Sequence, residues 1–186
     1  MRVIAGRAGG VRLVSPTRGV RPTMDRVKAA IFSSLGEMVI DARILDLFAG
    51  SGALGIEALS RGADLAVFVE EVRDSVRTIE KNLAKAKLSA RVRQQDVFKF
   101  LKNASDLGET FRIIFADPPY EKMESGDRFT DKLLADVNLP KVLEKDGLFV
   151  LEKRPAENVP EMKNWKLIRQ KRYGATEVLF LSAIRE

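Results

Sequence analysis

Residues 46–55 read Asp46-Leu47-Phe48-Ala49-Gly50-Ser51-Gly52-Ala53-Leu54-Gly55. The apolar run Ile44–Phe48 leads into them and reads as a buried strand. An amphipathic stretch over about 53–61 follows and reads as a helix. Gly50, Gly52 and Gly55 fit G-x-G-x-x-G at this strand-to-helix junction. Glycines there let the backbone turn tightly and approach a ligand, while the helix N-terminus offers free N–H groups. A tight βα turn without a ligand would use the same residues, and the bare pattern suits dinucleotides as well as S-adenosylmethionine.

Working outward, apolar runs alternate with amphipathic stretches. Further strands are expected at Leu65–Val69, Arg91–Gln94, Arg112–Ala116 and Gly147–Glu152. Further helices are expected over about 73–87, 97–103 and 129–144, the last interrupted at Pro140. This alternation implies βαβ units and a mostly parallel sheet. Residues 166–172 and 176–183 read as two strands joined by a turn at Tyr173-Gly174. Their connection is too short for a parallel crossover, so they form a hairpin. Before the glycine turn, residues 2–5 and 11–14 form a small hairpin around Gly6, Gly9 and Gly10. A loop marked by Pro16, Gly19 and Pro22 follows. Thr23 is placed to cap a helix over 24–35, with Val27, Ala30, Ile31 and Leu35 on one face. The expected division is a basic extension over 1–22 and a larger α/β domain over 23–186.

Composition narrows the chemistry. The chain has 186 residues, no Cys and no His. Disulfides, thiolate metal sites, Cys nucleophiles, imidazole bases and His-ligated zinc are thereby excluded. No metal is expected. The net charge is +6, and it is local. Residues 1–30 hold Arg2, Arg7, Arg12, Arg18, Arg21, Arg26 and Lys28 against Asp25 alone, while the rest of the chain balances. A second basic cluster, Lys163, Lys166, Arg169, Lys171 and Arg172, lies near the end. Clustered Arg suits a polyanion such as nucleic acid, and a solvated terminal arm is the plainer reading. The N-terminus lacks the apolar core of a signal peptide, and no run approaches the roughly 20 apolar residues of a membrane helix. A cytoplasmic, monomeric protein is expected.

Acids recur at successive strand ends. Asp46 stands beside the glycines, where it would pair with an ammonium and repel a pyrophosphate. Glu70 lies 20 residues after Gly50, placed to accept from ribose hydroxyls. Asp96 ends the third strand, where it could accept from an adenine amine. Each alone could be a solvated strand end or a helix cap. After the fourth strand comes Asp117-Pro118-Pro119-Tyr120. The prolines fix φ and remove N–H donors, so the Asp117 and Pro118 carbonyls and the Asp117 carboxylate can face a pocket as acceptors. An exocyclic NH2 on a base is a double donor and suits them. Tyr120 offers a stacking ring. A rigid strand-exit turn with a packed Tyr is the alternative. Residues 121–128 read as an exposed loop or a lid.

These residues, in this order, resemble the amino-methyltransferase branch of the Rossmann-like S-adenosylmethionine-dependent enzymes. The start narrows the resemblance. Ile4-Ala5-Gly6, Gly10-x-x-Leu13 and Arg21-Pro22-Thr23-x-Asp25-Arg26-Val27-Lys28 look like the RsmD-type enzymes, which methylate the exocyclic N2 of a guanine in 16S ribosomal RNA. Met24 departs from the Thr expected there. The resemblance spans nearly the whole chain. It implies a class I methyltransferase fold: a mostly parallel seven-stranded sheet with a C-terminal antiparallel hairpin and the small N-terminal β-hairpin extension. It implies S-adenosylmethionine held by Asp46, Phe48, Gly50, Gly52, Glu70, Asp96 and Val97. It also implies a guanine amine oriented by Asp117 and Pro118, stacked on Tyr120, with Pro119 beside the base. Arg7, Arg12, Arg21 and Arg26 would meet the phosphates of 16S ribosomal RNA, free or within an assembling small subunit. A buried Arg-Asp network with Asp25 is the alternative for Arg21 and Arg26. Competing functions are an adenine-N6 methyltransferase on RNA or DNA, a non-catalytic ribosome-assembly factor, and a glutamine methyltransferase, which would more usually carry Asn at 117. A cytosine-C5 mechanism needs a Cys nucleophile that the chain lacks.

Overall fold

The structure is a computed structural model that describes residues 1–15, 22–119, 128–155, 157, 159–160 and 162–185. Seven strands form one sheet: β1 (Arg43–Leu47), β2 (Leu65–Glu70), β3 (Arg91–Gln94), β4 (Phe111–Ala116), β5 (Leu143–Lys153), β6 (Trp165–Tyr173) and β7 (Thr176–Ala183). Their spatial order is β3-β2-β1-β4-β5-β7-β6. The first five pair in parallel, and β7 runs antiparallel to both β5 and β6. The chain winds outward from β1 to β3, then crosses back to β4. Carboxyl ends on either side of such a reversal bound a ligand crevice; here they belong to β1 and β4.

Alternation along the strands fills two cores. Ile44, Phe68, Phe115 and Val150 face one layer, packed under α1 (Pro22–Leu35), α2 (Ala53–Ser60) and α3 (Arg73–Ala86). Leu45, Leu47, Ile114, Ala116 and Leu151 face the other, packed under α4 (Val97–Asp106), α5 (Phe129–Ala135) and α6 (Leu139–Val142). Strands buried on both faces explain why their sequences read as continuous apolar runs. Among the described residues, no helix is long and apolar enough to cross a membrane.

Several boundaries differ from expectation. Pro140 sits in the first turn of α6, where a missing N–H costs nothing, and does not interrupt a longer helix. The helix expected to reach residue 144 gives way at Leu143 to β5. That strand begins before Gly147 because it bulges: Phe111 pairs with Leu143, yet Ile113 pairs with Leu148. The charged residues 144–146 occupy the bulge and hide it from a periodicity reading. Helix α1 starts at Pro22, which places Thr23 inside its first turn; the Thr23 side chain lies outside the described residues. Gly36–Val39 adds a single 3-10 turn that was not expected. The final hairpin turns at Gly174-Ala175, one residue later than read, with Gly174 at φ +60°.

The N-terminal hairpin is reduced to one antiparallel bridge, Arg2 to Arg12. Its apolar side chains Val3, Ala8 and Leu13 join the first core layer. It lies so close on α2 that a Cβ on Gly6 would sit 1.8 Å from the Ser60 carbonyl oxygen. Only glycine fits there.

Candidate active site and cofactor pocket

The glycine turn leaves β1 through Phe48, which adopts a left-handed φ of +53°. Gly50 and Gly52 are also left-handed, and Gly52 caps α2. A Cβ on Gly55 would fall 2.4 Å from the Phe68 ring, so this position is glycine for close helix-to-strand packing. The edge of Phe48 packs against Phe129 of α5 with ring centroids 5.4 Å apart.

Asp46 stands one residue before the end of β1, beneath this turn, 3% exposed. One carboxylate oxygen accepts the Gly55 N–H at 2.9 Å. Burial, and then the nearby Asp117 and Glu70 carboxylates, push its carboxyl up to about 8, against the Gly55 hydrogen bond. Glu70 closes β2 and clasps the turn from the other side. It accepts the Gly50 N–H at 2.8 Å and the Val72 N–H at 2.9 Å. Each of its oxygens keeps a second lone pair for a ligand. Asp96 precedes α4 and caps it by accepting the Lys99 N–H at 2.8 Å; the cap accounts for one oxygen and leaves the other. Val97 is buried in the second core layer.

Asp117 follows β4 across the crevice. It opens to solvent at the crevice mouth, with protein around it otherwise, and this partial burial pushes its carboxyl up to about 6. Pro118 is buried and Pro119 exposed. Tyr120, residues 121–127 and Arg21 lie outside the described residues. Arg128 pairs with Asp131 at 2.7 Å. Among the described residues, no ion pair reaches Asp46, Glu70, Asp117 or the neighbouring Glu152.

Arg7, Arg12 and Arg26 are exposed. Asp25 accepts the Arg2 N–H at 3.4 Å, and no ion pair to Arg26 forms among the described residues. The hairpin bearing Arg7 and Arg12 is fixed at two joints that sequence reasoning missed. The first is Glu57 of α2, wholly buried, whose oxygens take the Ile4 N–H at 2.7 Å, the Ala5 N–H at 3.1 Å, Lys28 Nζ at 3.1 Å and Arg61 Nε at 2.7 Å. Ser60 adds a hydroxyl that accepts from Ala8 and donates to Ala5. The second is Asn82 of α3, which accepts the Val14 N–H and donates to the carbonyls of Val14 and Ser51. Asn82 therefore ties the hairpin to the glycine turn itself. Glu57 had one available signal: a lone acid in an otherwise apolar helix. Half-buried Glu152, one residue before the end of β5 and beside Asp117, was also missed. Its signal was a further carboxylate at a carboxyl strand end.

Over residues 1–182 the chain matches the family model described as conserved hypothetical protein 95. It is 38% identical over 183 residues to the putative rRNA methyltransferase YlbH of Bacillus subtilis, covering 96% of each chain. It is 37% identical over 177 residues to ribosomal RNA small subunit methyltransferase D of Escherichia coli, covering 94% of this chain and 85% of that one. The solved structure of the putative methyltransferase yhhF from Escherichia coli superposes with a TM-score of 0.79 at 36% identity, covering 100% of this chain and 99% of the other. The family match spans the glycine turn, the strand-end acids, the Asp-Pro-Pro turn and the docked basic hairpin alike, and the chain belongs to the RsmD family of ribosomal RNA methyltransferases.

Proposed function

We propose that this protein transfers a methyl group from S-adenosylmethionine to the exocyclic N2 amine of a guanine in 16S ribosomal RNA. The observation that carries the reading is Asp117: a carboxylate without an ion-pair partner among the described residues, at the carboxyl end of β4, across the fold's reversal point from the glycine turn. The crevice also fits the cofactor. Its acids lack cationic partners among the described residues, and S-adenosylmethionine brings an ammonium and a sulfonium. Asp46 would hold the ammonium, with the Gly50 and Gly52 backbone close by. Glu70 would take the ribose hydroxyls and Asp96 the adenine amine, with Phe48 and Val97 flanking the nucleoside.

Bound there, S-adenosylmethionine supplies an electrophilic methyl group. The chain's own residues position the nucleophile. The Asp117 carboxylate and the Pro118 carbonyl accept the two N–H groups of the guanine amine and leave its lone pair free to point at the methyl. Asp117 stabilises the positive charge that develops on the nitrogen. With its pKa near 6, it can also hold the proton the amine releases. Tyr120 and Pro119 would pack on the extruded base, whose extrusion costs little from an unpaired loop. Residues 1–22 would act as a phosphate-binding arm through Arg7, Arg12 and Arg21, with Arg26 beside it.

The test is methyl transfer to undermodified small-subunit ribosomal RNA, followed by identification of the modified nucleoside. N2-methylguanosine is expected, and its loss in Asp117→Ala. N6-methyladenosine would overturn the reading.

A further inference from the structure

Glu152 lies one strand over from Asp117. The register pairs Ala116 with Leu151, so the next residues, Asp117 and Glu152, stand side by side. Asp46 pairs with Phe115, and Phe115 with Val150. Side chains alternate along a strand, which puts Glu152 on the face of Val150 and of its cross-strand partner Val178, within the core layer beneath Asp46. Asp46 and Asp117 are both close enough to act on it. Together with burial they hold its carboxyl well above the ordinary range. The next residue, Lys153, points the other way and is committed to Glu177 at 2.6 Å. Half-buried Glu152 thus has no hydrogen-bond donor or ion-pair partner among the described residues. Nor do the described acids form a group placed to hold a metal ion.

A carboxylate left without donors in a partly dry site is costly unless a ligand brings N–H groups. Guanine brings them in the right order. Its N1–H lies beside the N2 amine on one edge, whereas adenine and cytosine place an acceptor nitrogen next to their amines. We infer that Glu152 is the specificity residue of this site, accepting the guanine N1–H while Asp117 and Pro118 hold the N2 amine. This inference rests on the guanine-N2 reading. The bound N–H and the positive cofactor both favour the ionised carboxylate. Against a purine with an acceptor at N1, the same carboxylate is repulsive, so one residue both selects and rejects.

2-Aminopurine separates the two contacts: it keeps the N2 amine and replaces N1–H with an acceptor. The experiment compares kcat/KM on small-subunit ribosomal RNA carrying guanine or 2-aminopurine at the target position, for the wild type and for Glu152→Gln. A site built around a donor rejects an analogue that lacks it by up to about 10^4-fold, and the wild type is expected to approach this. The Gln amide can accept or donate, so Glu152→Gln should lower the guanine rate and cut discrimination by about 100-fold or more. A wild type indifferent to the exchange overturns the inference without recourse to any variant. So does a folded Glu152→Gln protein that keeps the wild-type ratio. The wild-type product is identified in parallel. If it is not N2-methylguanosine, the guanine reading fails and the inference falls with it; if it is, an unchanged ratio removes Glu152 alone.

Discussion

Glu57, on α2, and Glu152, on β5, lie on the same side of one sheet and meet opposite treatment. Glu57, under the N-terminal hairpin, is saturated by two backbone N–H groups, a lysine and an arginine. Glu152, at the crevice, receives none of these among the described residues, and neither does Asp117 beside it. A buried charge that the fold itself neutralises is part of the scaffold. One left open, where a ligand crevice already exists, is set aside for a partner that arrives later. The two regions should therefore respond oppositely to losing their charge.

The largest effect is expected at the saturated end. Glu57→Ala strands Lys28 and two hairpin N–H groups in the interior, and breaking such a buried pair costs about 3–5 kcal/mol. Urea unfolding measures it; a loss under about 1 kcal/mol, the range of an exposed pair, would erase the contrast. At the open end, Asp117→Asn should leave stability intact or raise it while lowering kcat by roughly 10^2–10^3-fold. Because the Asp117 carboxyl titrates near 6 and works as an acceptor, wild-type kcat/KM should fall as pH drops through that value. A rate flat from pH 5 to 8 would remove the carboxylate from the reaction.

Asp46→Asn sharpens the comparison from within one residue. The Asp46 carboxyl is raised from 3.8 to about 8 in the folded chain. Between those values the unfolded chain is ionised while the folded one holds its proton, so wild-type stability declines as pH rises across the interval. The Asn variant keeps an acceptor for the Gly55 N–H and escapes this decline. Its melting temperature should exceed the wild type's increasingly toward pH 8, by about 2–4 °C for each kcal/mol, while S-adenosylmethionine binding is lost in calorimetry. A variant that melts lower at pH 8 would show that Asp46 serves the fold first. The smallest effects belong to Arg7→Ala and Arg12→Ala. Each should weaken RNA binding uniformly across sequences and reduce the salt slope by about one. An unchanged slope would detach the hairpin from the RNA.

The legible parts of this molecule are those in which neighbouring residues do the work. The glycine turn, the strand-end acids and the Asp-Pro-Pro turn announce themselves because spacing along the chain fixes their place at one sheet edge. Glu57 stayed hidden because its hairpin partners are 52 and 53 residues away; nothing near it in sequence says what will cover it. Glu152 closed the expected strand Gly147–Glu152, but only the pairing of β4 with β5, which sets it beside Asp117, marks it out. Asp96 carries a visible structural task, since the acid proposed to receive an adenine amine caps α4.

Asn82 holds the Ser51 carbonyl of the glycine turn with one hand and both polar groups of Val14 with the other. Helix α2 makes the same connection through its length, with the turn at its start and the hairpin bound at its end. Glycine turn and basic arm are thus tied to the same two helices, so if the turn holds the cofactor as proposed, order gained at either is shared with the other. Linkage makes the exchange symmetrical: whatever factor the cofactor adds to RNA affinity, RNA returns in cofactor affinity.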